Sequence, residues 1–147
     1  MNSLSVKWEL EKAEEVVNQL DFSKQNGLVT VIALDWQTNE ILMCAFANRE
    51  AVLKSLTTGV THYFSRSQNK LWQKGETSGH VQEIKEVYID CDEDTVLFKV
   101  DQKVAACHTG FRSCFYRKLN EDGELELVGE KVFDPSEVYG SSGEKVK

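Results

Sequence analysis

The chain has 147 residues, 41% of them hydrophobic, and a formal net charge of -7. That length suits one domain, 1–147, with a single hydrophobic core. The acidic balance excludes the basic footprint of sequence-independent nucleic-acid binding, and no apolar run nears the roughly 20 residues that cross a bilayer.

Met1-Asn2-Ser3-Leu4-Ser5 lacks the basic-then-apolar pattern of a secretory signal. A cytoplasmic protein is expected, so its cysteines read as thiols or metal ligands rather than disulfides.

Between residues 6 and 22, Val6, Leu10, Ala13, Val17 and Leu20 recur at three- and four-residue steps. This periodicity predicts an amphipathic helix within 1–22, ended by Asn26-Gly27. Leu28 to Leu34 and Ile41 to Ala47 are β-rich runs joined by a six-residue turn segment, a predicted hairpin. Cys44, inside the second run, reads as a buried small hydrophobe. Asn48 suits a helix N-cap and Gly59 a helix stop, which predicts a short helix between them. Val60 to Ser65 returns to strand chemistry.

Residues 65 to 80 differ in kind, combining three cations, two glycines, four hydroxyls and one Trp. One reading is a solvated loop. The other is a phosphate and sugar surface, with glycine amides, Arg66, Lys70 and Lys74 meeting an anion and Ser67, Thr77 and Ser78 meeting ribose. Val81 to Cys91 and Val96 to Asp101 predict a second hairpin with an acidic turn. Phe115 to Leu119 and Leu125 to Val128 flank the turn Asn120-Glu121-Asp122-Gly123. Pro135 after Asp134 marks a helix start, and the polar tail 141–147 is expected to fray. These runs predict an α+β fold, mainly β: a mixed folded sheet or pseudobarrel of hairpins with a few short helices, its core spanning about 28–117.

Chemistry concentrates in residues 90 to 117. Cys91, Cys107 and Cys114 form no Cys-x-x-Cys pair, so a zinc ribbon is a poor match. A closed structural zinc site wants four protein ligands, whereas a catalytic one has three and leaves a position for water. Three thiolates therefore favour an open site. His108 is the challenger as fourth ligand, but adjacent side chains diverge, which favours His108 beside the metal as a base. Asp90, Asp92 and Asp94 occupy the first, third and fifth places of an EF-hand loop, yet Thr95 stands where Gly is needed. A plain acidic turn competes here with a magnesium site completed by water and substrate phosphate. A strand running through Cys91 would point Asp90 and Cys91 to opposite faces.

The sequence resembles the phosphoribosyl-AMP cyclohydrolases. The likeness lies in Asn48-Arg49-Glu50, Ser65-Arg66-Ser67, Leu71-Trp72, Lys74 through Gln82, Asp90-Cys91-Asp92 with Asp94, Cys107-His108-Thr109-Gly110 and Ser113-Cys114-Phe115. The resemblance implies a homodimer with one zinc per subunit on Cys91, Cys107 and Cys114, Cys91 coming from the opposite subunit. It also implies magnesium on Asp90, Asp92 and Asp94. The implied substrate is a phosphorylated nucleotide, phosphoribosyl-AMP, whose adenine ring is opened at N1–C6 in histidine biosynthesis. His108 is the candidate base; Glu76 and His80 are candidates for proton delivery to the leaving nitrogen, and Arg112 is a further substrate-binding candidate. Val104-Ala105 stands where the family usually has Gly-Pro. No pyrophosphohydrolase domain, which some relatives append, is present, so one step is expected. The rival readings are a structural zinc module and a redox thiol protein.

Overall fold

The computed structural model describes residues 6–139, so the tail expected to fray lies outside the described residues. Helix α1 spans Leu10–Val17 and buries Ala13 and Val17. It is shorter than the periodic stretch because the chain before it is engaged elsewhere. The Val6 N–H donates to the Ile84 carbonyl at 2.7 Å, and the Trp8 N–H donates to the Leu56 carbonyl at 2.8 Å. Backbone tied across to other elements at Val6 and Trp8 is not following a helical path, and the helix begins after Glu9.

Strands β1 (Leu28–Asp35) and β2 (Ile41–Asn48) form the expected antiparallel hairpin. Asp35 shapes its turn: one carboxylate oxygen accepts from the Gln37 and Thr38 N–H groups and from the Thr38 hydroxyl. Helix α2 spans Arg49–Thr58, with Asn48 Oδ1 accepting from the Ala51 N–H and Gly59 left-handed at φ 83. Both caps match their sequence chemistry.

Strand β3 (His62–Ser65) pairs with β4 (Lys70–Gln73), which falls inside the stretch with loop-like composition. Trp72 lies opposite Tyr63 with ring centroids 5.2 Å apart. Such a cross-strand aromatic pair stabilises a short ladder that polar composition hides. Strands β5 (Gln82–Ile89) and β6 (Thr95–Gln102) make the second hairpin. Strands β7 (Arg117–Leu119) and β8 (Leu125–Leu127) flank the predicted turn, and α3 (Pro135–Tyr139) begins at the proline.

The main sheet has the order β2-β1-β6-β5, with β1 and β6 parallel between two antiparallel pairs. It is mixed and open, its edges being β2 and β5. The pseudobarrel alternative therefore does not hold: β3–β4 and β7–β8 form separate two-stranded sheets, and an isolated bridge, Val60 to Glu83, rather than a ladder ties the chain entering β3 to β5.

One sheet face forms the core. Val29, Val31 and Ala33 of β1 and Val96, Phe98 and Val100 of β6 meet Ala13 and Val17 of α1 and Ala51, Val52 and Leu56 of α2. Truncating Phe98 to Ala there would cost about 3–5 kcal/mol through lost transfer energy and a cavity.

The opposite face carries a row of directly paired residues, Cys44, Ile32, Leu97 and Tyr88. None of the four is buried, and Tyr88 is 50% exposed. Cys44, expected in the core, is exposed. It sits on an edge strand, where alternation sends Met43 and Ala47 into the core and turns Cys44 to the uncovered side. Among the described residues, no helix is long and apolar enough to cross a membrane.

Candidate active site

Past β6 the chain folds into a loop that doubles back on itself. The Ala106 N–H donates to the Arg112 carbonyl at 2.8 Å and the Cys107 N–H to the Phe111 carbonyl at 3.2 Å. Strand β2 anchors the far arm, since the Cys114 N–H donates to the Leu42 carbonyl and the Ser113 hydroxyl to the Ile41 carbonyl. These ties bring Cys107 and Cys114 into side-chain contact. That contact chiefly lowers the Cys107 thiol to about 5, and Thr109 assists from 2.8 Å, against burial, which acts to raise it. The contact therefore favours the thiolate form of Cys107.

The pair lines a cavity of about 640 Å³ together with His108, Lys74, Arg66 and Ser67. That volume is ordinary for a small-molecule site. Lys74 is only 7% exposed, and its ammonium donates to the Ala106 carbonyl. Burial lowers its pKa, and the nearby Cys114 and Cys107 oppose that shift. The Arg66 guanidinium lies over the Phe46 ring, 4.1 Å from its centroid. Four aromatic residues, Phe46, Phe64, Trp72 and Tyr116, share the lining with cationic Arg117.

Other sequence candidates lie elsewhere. Lys70, Glu76, Thr77, Ser78, His80 and Arg112 do not line the cavity. Glu76 is exposed and closes the turn after β4 by accepting from the Gln73 N–H. The Ser78 hydroxyl accepts from the His80 N–H at 3.1 Å. His80 is buried edge-on against Phe133 with centroids 4.8 Å apart. Burial, then the Lys74 charge, lowers its pKa, so the imidazole is neutral at pH 7. Gly75 serves the turn: at φ 85, an added Cβ would meet the His80 and Val81 backbone at 2.6 Å. The Gly79 N–H is spent on the Gly75 carbonyl rather than presented to an anion.

Arg112, a substrate candidate by sequence, points to Asp35 at 2.6 Å and Glu40 at 3.5 Å. Sequence reasoning also passed over Thr109, Tyr116 and Arg117. Their signal was proximity to Cys107-His108 and Cys114-Phe115. Cys44 and Phe46 had no such signal, because their apolar run is indistinguishable from core.

The second cluster stands apart. Asp90, Asp92 and Asp94 bring carboxylate oxygens within 4.8 Å of one another. Asp90 Oδ1 accepts from the Asp94 and Thr95 N–H groups, both at 3.1 Å. Lys24 Nζ lies 3.1 Å from Asp92 and 3.6 Å from Asp94. The Lys24 contact lowers the Asp92 pKa, whereas desolvation and then Asp92 raise that of Asp94. Strand β5 stops at Ile89, so Asp90 and Cys91 belong to the turn and strand alternation does not separate them. Among the described residues this triad is the one group of three or more potential metal-ligand side chains. Cys91 is exposed and joins neither this cluster nor the thiolate pair within a single chain.

A ligand-sized cavity walled by a cysteine pair in contact, an imidazole and cations defines a small-molecule enzyme rather than a structural metal module. Residues 43–116 match the family model described as phosphoribosyl-AMP cyclohydrolase. A phosphoribosyl-AMP cyclohydrolase of Methanospirillum hungatei is 58% identical over 118 residues, covering 80% of this chain and 87% of that relative. One from Methanococcoides burtonii is 56% identical over 114 residues, covering 78% and 91%. The histidine biosynthesis bifunctional protein HisIE of Thermoanaerobacter pseudethanolicus is 52% identical over 133 residues, covering 90% of this chain and 61% of that longer protein. The chain belongs to the phosphoribosyl-AMP cyclohydrolase family and is a hydrolase of a cyclic amidine.

Proposed function

We propose that this chain hydrolyses the N1–C6 bond of the adenine ring in phosphoribosyl-AMP, giving the phosphoribosyl-formimino-carboxamide ribotide in histidine biosynthesis. The observation that carries the reading is the contact pair Cys107–Cys114 on the wall of a cavity with cationic lining. A soft thiolate donor set fits zinc, and the hard oxygens of Asp90, Asp92 and Asp94 fit magnesium. Zinc, when bound, would supply a water acidified to a pKa of about 7. Cys107 and Cys114 would hold it, with Cys91 as third ligand.

The chemistry balances without a further reactant. Oxygen from water bonds to C6, the N1–C6 bond breaks, and C6 becomes a carboxamide that retains its exocyclic nitrogen. One water proton ends on the nitrogen that was N1, and the other on the exocyclic nitrogen, an imine in the neutral N1-alkylated ring. His108, on the cavity wall beside Cys107, is the base that takes the proton from water. His80 and Glu76 lie outside the lining; either serves as proton donor only through movement or a bridging water, and neutral His80 only after first taking up a proton. Arg66, Lys74 and Arg117 offer positive charge for substrate phosphates, Ser67 offers a hydroxyl, and the aromatic lining offers faces for the purine. Lys70, Thr77 and Ser78 remain outer-surface candidates.

The active unit in this reading is a homodimer. Cys91 is exposed and forms no ligand group with Cys107 and Cys114 of its own chain, and none of the row Cys44–Ile32–Leu97–Tyr88 is buried. The family resemblance implies that the third thiolate, Cys91, comes from the partner subunit. Free thiols in this number suit the reducing cytoplasm. A redox dithiol would share the low thiol pKa, but it gives the cationic, aromatic lining no role.

The test is metal analysis of the purified chain combined with a ring-opening assay on phosphoribosyl-AMP. One zinc per chain and turnover lost on chelation are expected. Full turnover by metal-free protein would sink the zinc reading.

A further inference from the structure

The loop that carries Cys107 has no regular secondary structure over residues 103–106, yet each of its carbonyls lies within bonding distance of a side-chain donor. Arg112 donates to the Gln102 carbonyl at 3.4 Å and to the Val104 carbonyl at 3.3 Å. The Gln102 side-chain amide donates to the Lys103 carbonyl at 3.1 Å and to the Ala105 carbonyl at 3.2 Å. Lys74 donates to the Ala106 carbonyl. Each carbonyl from 102 to 106 thus lies within bonding distance of a side-chain donor, with Gln102 Nε2 sharing its two hydrogens among the Lys103, Ala105 and His80 carbonyls. A backbone bonded in this way takes its shape from where those donors are fixed.

The donors are themselves held. Gln102 Oε1 accepts from Gln82 Nε2 at 2.7 Å, and Gln82 Oε1 accepts from the Thr61 and Tyr63 hydroxyls, both at 2.7 Å. Because the hydroxyls donate, this series turns the Gln102 amide nitrogen toward the loop. The same nitrogen reaches the His80 carbonyl at 3.1 Å. Arg112 is pinned by Asp35, which in turn is bound to Thr38.

The restraint acts against resistance. Val104 lies at φ 57, a left-handed conformation that is an outlier for a β-branched residue. It is 47% exposed, so burial of its side chain does not account for the conformation.

We propose that Gln102, Arg112 and Lys74 form one clamp on the carbonyls of residues 102–106 that positions Cys107 against Cys114 for metal binding. Gln102 and Arg112 are positioning residues, whereas Lys74 both holds the loop and faces the cavity. Arg112 belongs to the clamp and not to the substrate surface. The metal part of this statement rests on the zinc reading above; the restraint on the loop does not.

Two measurements on the full-length chain separate those parts. Amide hydrogen exchange is followed in metal-free protein carrying Gln102→Leu or Arg112→Lys, the latter keeping the charge but losing the guanidinium fork. The Ala106 and Cys107 amides should exchange at least about tenfold faster, the factor for one lost hydrogen bond, while core-sheet amides such as that of Val31 change little. Adding Val104→Gly should recover part of that protection by removing the strain. In parallel, cobalt(II) is titrated against a competing chelator. Affinity should fall about tenfold or more and the thiolate-to-cobalt band should shift.

Unchanged exchange at Ala106 and Cys107 in a folded variant overturns the clamp. Faster exchange with unchanged cobalt affinity and spectrum overturns its positioning role. Absence of cobalt binding by the unaltered chain would refute the zinc reading and with it the metal part of the clamp, while the exchange result still decides the restraint. If Gln102→Leu does not fold, Arg112→Lys carries the same comparison.

Discussion

The two candidate metal clusters are built in opposite ways. Asp90, Asp92 and Asp94 lie within one short turn, organised by Asp90 accepting from amides four and five residues on and by the exposed Lys24. Cys107, 6% exposed, and Cys114 are held by β2, by their own doubled-back loop and by donors from distant segments. A hard, water-tolerant ion needs only nearby oxygens, whereas soft ligation at a cavity needs thiolates fixed by tertiary structure. The acidic turn should therefore be a locally encoded, adjustable site, and the Cys107–Cys114 pair a property of the whole fold.

Substitutions can break that contrast. The largest effect is expected from Cys107→Ser or Cys114→Ser, either of which should abolish ring opening with the fold largely retained; activity assay and thermal melting read this together. Retained activity in a folded Cys107→Ser chain would remove the thiolate pair from the mechanism.

Next comes Asp35→Asn, which strips the buried carboxylate from its bond to Arg112. The pair lies between the exposed and buried extremes, with side chains 34% and 5% exposed. A loss of about 2 kcal/mol is expected by denaturant titration at pH 7. Thr38 and then Arg112 lower the Asp35 pKa below 3.8, outweighing desolvation, which raises it. The carboxylate's contribution is therefore present above that unfolded value and lost as pH falls through the lower folded one. Consequently the variant and the unaltered chain should converge in stability only below pH 3.8. Convergence already at pH 5 would contradict the assignment.

Smaller still, Val104→Gly should stabilise the chain by about 1 kcal/mol, since glycine takes φ 57 without the β-branched penalty. An unchanged or lower melting midpoint would show that the loop stores no strain there. Asp92→Asn should have the least effect on the fold. It should weaken magnesium dependence and raise the substrate requirement with zinc content unchanged. An identical magnesium titration would count against the triad as a site.

The same contrast explains what could be read in advance. The Asn48 and Gly59 caps, both main hairpins and the acidic turn depend on short-range chemistry, and each was legible in the residues. Strand β4 was hidden because its stabilising partner, Tyr63, precedes the polar stretch rather than lying within it. The onset of α1 was set by Ile84 and Leu56, far along the chain, and not by its own periodicity. At the site, the motif cysteines and His108 were visible by type. The partners of Arg112 were not, because Asp35 comes from a turn 77 positions away. Cys44 was misplaced because a run of apolar residues on an edge strand does not reveal which sheet face stays uncovered.

The central claim, that a thiolate site is completed by Cys91 of a second chain, is tested most directly by complementation. Cys91→Ser and Cys107→Ser chains are each expected to be inactive. Co-folded, they should form mixed dimers in which both lesions fall on one site and the other site is intact. With random pairing about half the dimers are mixed, so the mixture should recover roughly a quarter of full activity, given independent sites. No recovery from demonstrated heterodimers would mean that each site is built within one chain.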